Sequence, residues 1–178
     1  MANFKVRMSH DSIDEAIRSL EAFKKDIPNF LTDEAKKIGQ RGVRRARKLT
    51  PVGVAPTLPH MDPEEYARHW SSYRGGRLRR GWKSEVIYGA RGPMVRIYNP
   101  VEYASYVEYG HRQTPGRYVP ALGLSLTSSW VPGQFMLKDT INSLRADIPG
   151  ILQRDTDRII RKALAGSYKP AGGEPGND

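Results

Sequence analysis

The chain has 178 residues, 38% of them hydrophobic, with 13 prolines, 17 glycines and no cysteine. That length suits a single domain with a modest core and projecting elements, expected at 1–166 with a disordered tail at 167–178, and the missing cysteines exclude disulfides, a thiol nucleophile and thiolate zinc sites. No apolar run reaches the roughly 18 residues of a membrane span, the first ten residues lack the apolar centre of a secretory signal, and the net charge of +10 points to anionic partners.

Ile13, Ile17, Leu20, Ile27, Leu31 and Ile38 recur along one side of an amphipathic helix. Ile13, Ile17, Leu20, Leu137, Ile141 and Leu144 are expected to be buried, either within one subunit or between two. Ser12 with Glu15 suits a capping box at the start of this helix. Pro28 lacks an amide hydrogen and crowds the preceding turn, so a kink or division is expected near Ile27. The continuation to Leu49 turns basic, with Lys36, Lys37, Arg41, Arg44, Arg45, Arg47 and Lys48, and Thr50-Pro51 ends it.

The positive charge is concentrated in this part of the chain. Residues 36–91 hold 14 Lys/Arg against 4 Asp/Glu, while 1–35 hold 5 against 7 and 92–178 hold 10 against 8. A solvated helix face with a basic loop would look the same. Residues 53–76 read as a basic insertion or arm, irregular around Pro56, Pro59 and Pro63, with a helical turn at Pro63–Trp70. Alternation at Val86 and Tyr88, and at Val95 and Ile97, predicts a hairpin over 83–99.

A short helix follows at Val101–Tyr109, stopped by Gly110. Residues 111–130 read as a mobile loop. It carries Tyr118, Leu122 and Leu124, apolar side chains that a purely solvated loop does not need. Residues 134–148 are helical, Pro149 interrupts, and the helix resumes to Gly166. The fold class is therefore α+β: a small antiparallel β-sheet packed by long N-terminal and C-terminal helices, with projecting loops.

No catalytic or metal-binding pattern emerges. His10, His60, His69 and His111 have no partner at metal-site spacing, and Pro59 and Pro63 argue against a rigid cage around His60 and His69. There is no nucleophile elbow and no phosphate-cradling glycine loop. Glu102 and Glu108 are six apart on one short helix, project to different sides, and read as structural charges. No enzyme, cofactor or metal is expected.

Two surfaces remain. Tyr103, Tyr106 and Tyr109 step by three along the short helix. They pack it on the hairpin, or offer an edge to a neighbouring subunit, and one stripe can do both. Trp82 and Trp130 are expected to anchor sheet to helices. Trp70, in the insertion, has no evident core to join and is a candidate partner contact, along with Tyr118, Leu122 and Leu124. Arg41, Arg44, Arg45 and Lys48, with Arg74, Arg77, Arg79 and Arg80, form a basic surface for DNA or an acidic partner. No sequence-reading DNA motif accompanies them, so nucleic-acid contact would be non-specific.

Four blocks then line up: Leu49-Thr50-Pro51-Val52, Gly76-Arg77-Leu78-Arg79-Arg80-Gly81-Trp82, Glu102–His111, and Trp130–Leu137. In this order they resemble the tail-component family of long-tailed bacteriophages, the tail-completion or minor-tail-protein-Z type of neck protein. That family carries Pro-Val-x-x-Gly-x-Leu-Arg unbroken, whereas here Gly53 to Gly75 separate its halves. The resemblance implies a structural virion protein, assembled in the host cytoplasm and lodged in the tail neck. It would form a homo-oligomeric ring of six, contact the tail terminator or tail tube and the head-connector proteins, and surround DNA passing through its lumen, with no membrane partner. A non-specific nucleic-acid-binding protein using 36–91 is the alternative.

Overall fold

The computed structural model describes residues 9–170. The chain is α+β. In order it runs α1 (His10–Leu49), α2 (Pro63–Trp70), α3 (Arg77–Gly81), β1 (Lys83–Gly89), β2 (Gly92–Tyr98), α4 (Ala104–Tyr109), β3 (Gly110–Arg112), β4 (Tyr118–Val119), a 3-10 turn at Pro120–Leu122, β5 (Leu124–Ser125), β6 (Trp130–Pro132) and α5 (Met136–Leu164). Among the described residues the strands form three pairs, β1–β2, β3–β6 and β4–β5.

The α1 cap lies earlier than the sequence suggests. Ser9 Oγ accepts the amide of Ser12 at 3.3 Å, so Ser9, not Ser12, begins the helix. Both proline interruptions are also absent as breaks: α1 runs through Pro28 and α5 through Pro149. A proline inside a helix costs ~3 kcal/mol, and side-chain contacts within α1 bridge the site. Phe23 and Phe30 meet edge to face across Pro28, with centroids 5.9 Å apart. Thr32 Oγ1 donates to the Pro28 carbonyl at 2.9 Å.

The residues gather into two compact units, and α1, the β1–β2 hairpin and α5 each contribute to both. The first unit comprises 9–38, 86–95 and 145–170. Its buried apolar residues are Ala16, Ala35, Ile38, Ile151 and Ala163. Within the single chain Ile13 and Ile17 are 42% and 49% exposed, so of the two forms of burial expected for them only the one between subunits is left. The smaller side chains Ala16, Ser19 and Ala35 are buried instead, at 6%, 7% and 6% exposure. Gly166, at φ +68°, ends α5 in a Schellman motif, with its amide to the Ala163 carbonyl and that of Ser167 to the Lys162 carbonyl. Beyond it Tyr168 stacks edge to face on Phe23, and its hydroxyl donates to Asp26. Tyr168 belongs to the segment expected to be disordered, the rest of which, from 171, lies outside the described residues.

The second unit comprises 39–85 and 96–144. Val43, Ala46, Leu78, Trp82 and Met136 form its core, with Ile97, Val101, Ala104, Val107 and Leu137 packed against it. Trp82, 3% exposed, donates its indole N–H to Thr50 Oγ1 at 2.7 Å, and that hydroxyl donates to the Ala46 carbonyl at 2.6 Å. The tryptophan, which follows α3 and precedes β1, is thus tied to the end of α1. Trp130 does not anchor anything comparable: it is 50% exposed. Leu144 is buried as expected, while Leu137 and Ile141 are half-buried.

Candidate functional site

Two of the four sequence blocks, Glu102–His111 and Trp130–Leu137, meet at the start of α5. Glu108, on α4, is 4% exposed. Its carboxylate accepts the first-turn amides of Leu137 and Lys138 at 2.8 and 3.0 Å. A buried anion on the positive end of a helix satisfies donors that the helix itself leaves unpaired. Alongside it, Gln134 and Phe135 donate backbone amides to the Val107 and Glu108 carbonyls at 2.8 and 3.1 Å. The backbones approach so closely that a Cβ on Gly133 would strike the Glu108 carbonyl, and one on Gly110, at φ +81°, would strike that of Val131. The register Gly110↔Pro132, His111↔Val131 and Arg112↔Trp130 continues the junction as the β3–β6 pair. Phe135 takes φ +50°, which costs a side chain about 1–2 kcal/mol, and the Glu108 bonds hold it there.

This buried scaffold presents aromatic rings outward. Tyr103, Tyr106 and Tyr109 are 40%, 58% and 62% exposed, while Ala104 and Val107, between them, face the core. The tyrosine stripe is therefore surface, and the packing falls to its neighbours. Tyr106 stands edge-on to His111, centroids 5.8 Å apart. Trp130 and Phe135 join the exposed set, the latter under Lys138 Nζ at 5.1 Å. Neither was singled out from sequence as a surface ring. Glu108 was read as a structural charge, and its partner amides, 29 and 30 residues downstream, leave no spacing signal.

The insertion is closed at its base. A Cβ on Gly75 would overlap the Gly53 carbonyl, so the two ends touch. Its far part leans on the 118–125 segment. Trp70 donates its indole N–H to the Ala121 carbonyl at 2.7 Å, and His60 Nε2 lies 3.2 Å from the Leu122 carbonyl. Trp70 is half-buried and engaged within the chain, unlike the free contact expected of it. The loop at 111–130 is likewise built rather than irregular: Tyr118↔Ser125 and Val119↔Leu124 pair as β4–β5. Leu122 is half-buried, whereas Tyr118 and Leu124 remain 57% and 41% exposed.

The basic residues are all exposed. Arg41, Arg44, Arg45 and Lys48 form one stripe on α1. Arg79 Nε donates to the Thr50 carbonyl at 2.9 Å, Arg80 Nη1 to Gly75 at 3.2 Å, and Arg74 Nη1 to Ser71 and Tyr73 at 3.2 and 3.0 Å. Arg74 and Arg77 line a cleft of about 530 Å³ with Tyr73, Tyr103, Val52 and Leu78.

Residues 14–110, from the first turns of α1 to the glycine that stops α4, match the family described as "Bacteriophage HK97-gp10, putative tail-component". The chain belongs to this HK97-gp10-like family. No curated protein and no solved structure matches it. As an HK97-gp10-like protein it is a bacteriophage tail component, a virion protein that works through contacts with other virion proteins.

Proposed function

We propose that this tail component completes the head-proximal end of the tail and joins it to the head connector as a closed ring of six subunits. The observation behind this reading is the aromatic surface at the α4–α5 junction, where Tyr103, Tyr106, Tyr109, Trp130 and Phe135 are 40–62% exposed over one rigid scaffold. Aromatic rings with wet edges are enriched in protein interfaces, and a monomer seldom displays so many together. Tyr118 and Leu124 extend the apolar inventory of the same unit toward the tail tube or the connector. Assembly here is surface complementarity, with no chemical step.

Light scattering on the purified protein, with cryo-electron microscopy of the same sample, tests it. Wild type should have six times the chain mass and show closed rings. Tyr106→Ser with Tyr109→Ser should keep the circular-dichroism spectrum, lose the rings and yield tails that fail to join heads. A wild-type chain that stays monomeric at all accessible concentrations, or a double variant that still closes rings, would sink the proposal.

A further inference from the structure

The second unit carries 15 Lys/Arg against 7 Asp/Glu, and the first, within the described residues, 12 against 10. Eleven of the cations lie between 39 and 83. Among the described residues, ion pairs engage Lys36, Lys37, Arg96, Arg158 and His10, and none of these eleven. Those with internal contacts donate to backbone carbonyls, as Arg47 does to Trp82 at 3.3 Å. Such contacts orient a guanidinium without neutralising it.

The helix dipole accounts for part of this charge. Arg47 and Lys48 occupy the last turn of α1, where a cation is favoured, but the effect fades within that turn. Arg41, Arg44 and Arg45 lie beyond it. Successive residues advance 100° around a helix, so Arg41, Arg44, Arg45 and Lys48 fall within one narrow stripe. Arg44 also lines a groove of about 510 Å³ together with Arg47 and Lys83, and with Gln40 and Ser84 as further polar groups. Trp82 and Val43 form its apolar wall. The one carboxylate in it, Glu85, is taken by Arg96 at 3.1 Å.

We propose that this stripe and groove form a sequence-independent binding site for the phosphate backbone of double-stranded DNA, held by Arg41, Arg44, Arg45, Arg47, Lys48 and Lys83. The chemistry favours DNA over an acidic protein. The core of a protein interface is depleted in charge and centred on apolar anchors. That description fits the tyrosine surface, and it is the opposite of a stripe of four cations with no carboxylate. Arginine is the residue suited to phosphate. The absence of a groove-reading motif leaves backbone contacts, which position without specifying sequence. This inference is independent of the ring proposal, since the site lies within one chain and is tested whatever the oligomeric state.

Fluorescence anisotropy of the full-length protein with fluorescein-labelled 30-base-pair duplexes of two unrelated sequences tests it. For about six phosphate contacts, affinity should fall ~2000-fold between 50 and 200 mM salt, equally for both sequences. The variant Arg41→Gln, Arg44→Gln, Arg45→Gln, Lys48→Gln should weaken binding at 100 mM salt by about three orders of magnitude and flatten the salt slope by about four. Arg41→Lys, Arg44→Lys, Arg45→Lys, which keeps the charge, should bind within about tenfold of wild type. Neutralising Arg145, Arg154 and Arg161 in the first unit should also change little. The proposal fails if wild type does not bind at 50 mM salt, or if the first-unit variant weakens binding as much as the stripe variant. It fails equally if poly-glutamate binds more tightly than the duplex at matched salt, which would assign the groove to a protein partner.

Discussion

Glu108 joins helix capping to surface display in one side chain. Its buried carboxylate receives two amides of α5, so Glu108→Ala strands both donors and should cost about 1–3 kcal/mol in urea denaturation. Glu108→Gln keeps one acceptor oxygen but sets its NH2 against the second amide, so a loss of about 1 kcal/mol, smaller than for alanine, is expected. Equal losses would mean that the cap depends on the charged carboxylate and not on the shape of the side chain. Tyr168 offers a second test. Burial first, then its hydrogen bond to Asp26 and the charge of that carboxylate, push the phenol from the usual 10.0 up to about 12. The folded chain therefore holds this proton more tightly than the unfolded chain does. The stabilisation is complete below pH 10 and is lost as the pH climbs through about 12. Tyr168→Phe should melt below wild type at pH 8, and the gap should close across that alkaline window. A gap that stayed constant to pH 12 would rule out the Asp26 bond as its source.

At the level of elements, α1, α2, α4, α5 and the hairpin were legible because each rests on local signals, such as the periodicity of α1, the Pro63 start of α2, the alternation in 83–99 and Gly110 as a stop; the five-residue α3 was not, being too short to show a period. The pairings β3–β6 and β4–β5 were not, because strands of two or three residues carry no period and depend on partners far along the chain. As signs of division the prolines misled for a related reason, since local cost was visible and the aromatic contact across Pro28 was not. The insertion could be delimited but not placed. Its anchors, Trp70 on Ala121 and His60 beside Leu122, predict that it steadies the β4–β5 segment. Joining Gly53 directly to Gly75 should leave a folded protein whose melting temperature falls only slightly, while amides of 118–125 exchange faster. An unfolded product, or unchanged exchange in that segment, would contradict this account.

Across the whole molecule, burial and surface display follow different residues than hydrophobicity alone suggests. Leu144 is 6% exposed, whereas Ile17 is 49% exposed. Leu144→Ala should cost about 2–5 kcal/mol by cavity formation, and Ile17→Ala less than about 0.5 kcal/mol in a monomer, as for a surface change. A comparable loss at both sites under dissociating conditions would restore Ile17 to the core. The tyrosines were legible as a stripe but not as an outward one, because a three-residue step does not say which side of a six-residue helix faces in; Val107 and Glu108 decide that. The touching ends of the insertion carry a last consequence. Loop closure costs only ~0.6 kcal/mol more for each doubling of length, so a segment that leaves and re-enters at one point uncouples chain length from architecture. That position is a natural cassette port: a peptide tag or a small foreign domain exchanged for 54–74 should ride on the virion without disturbing the helices beneath it.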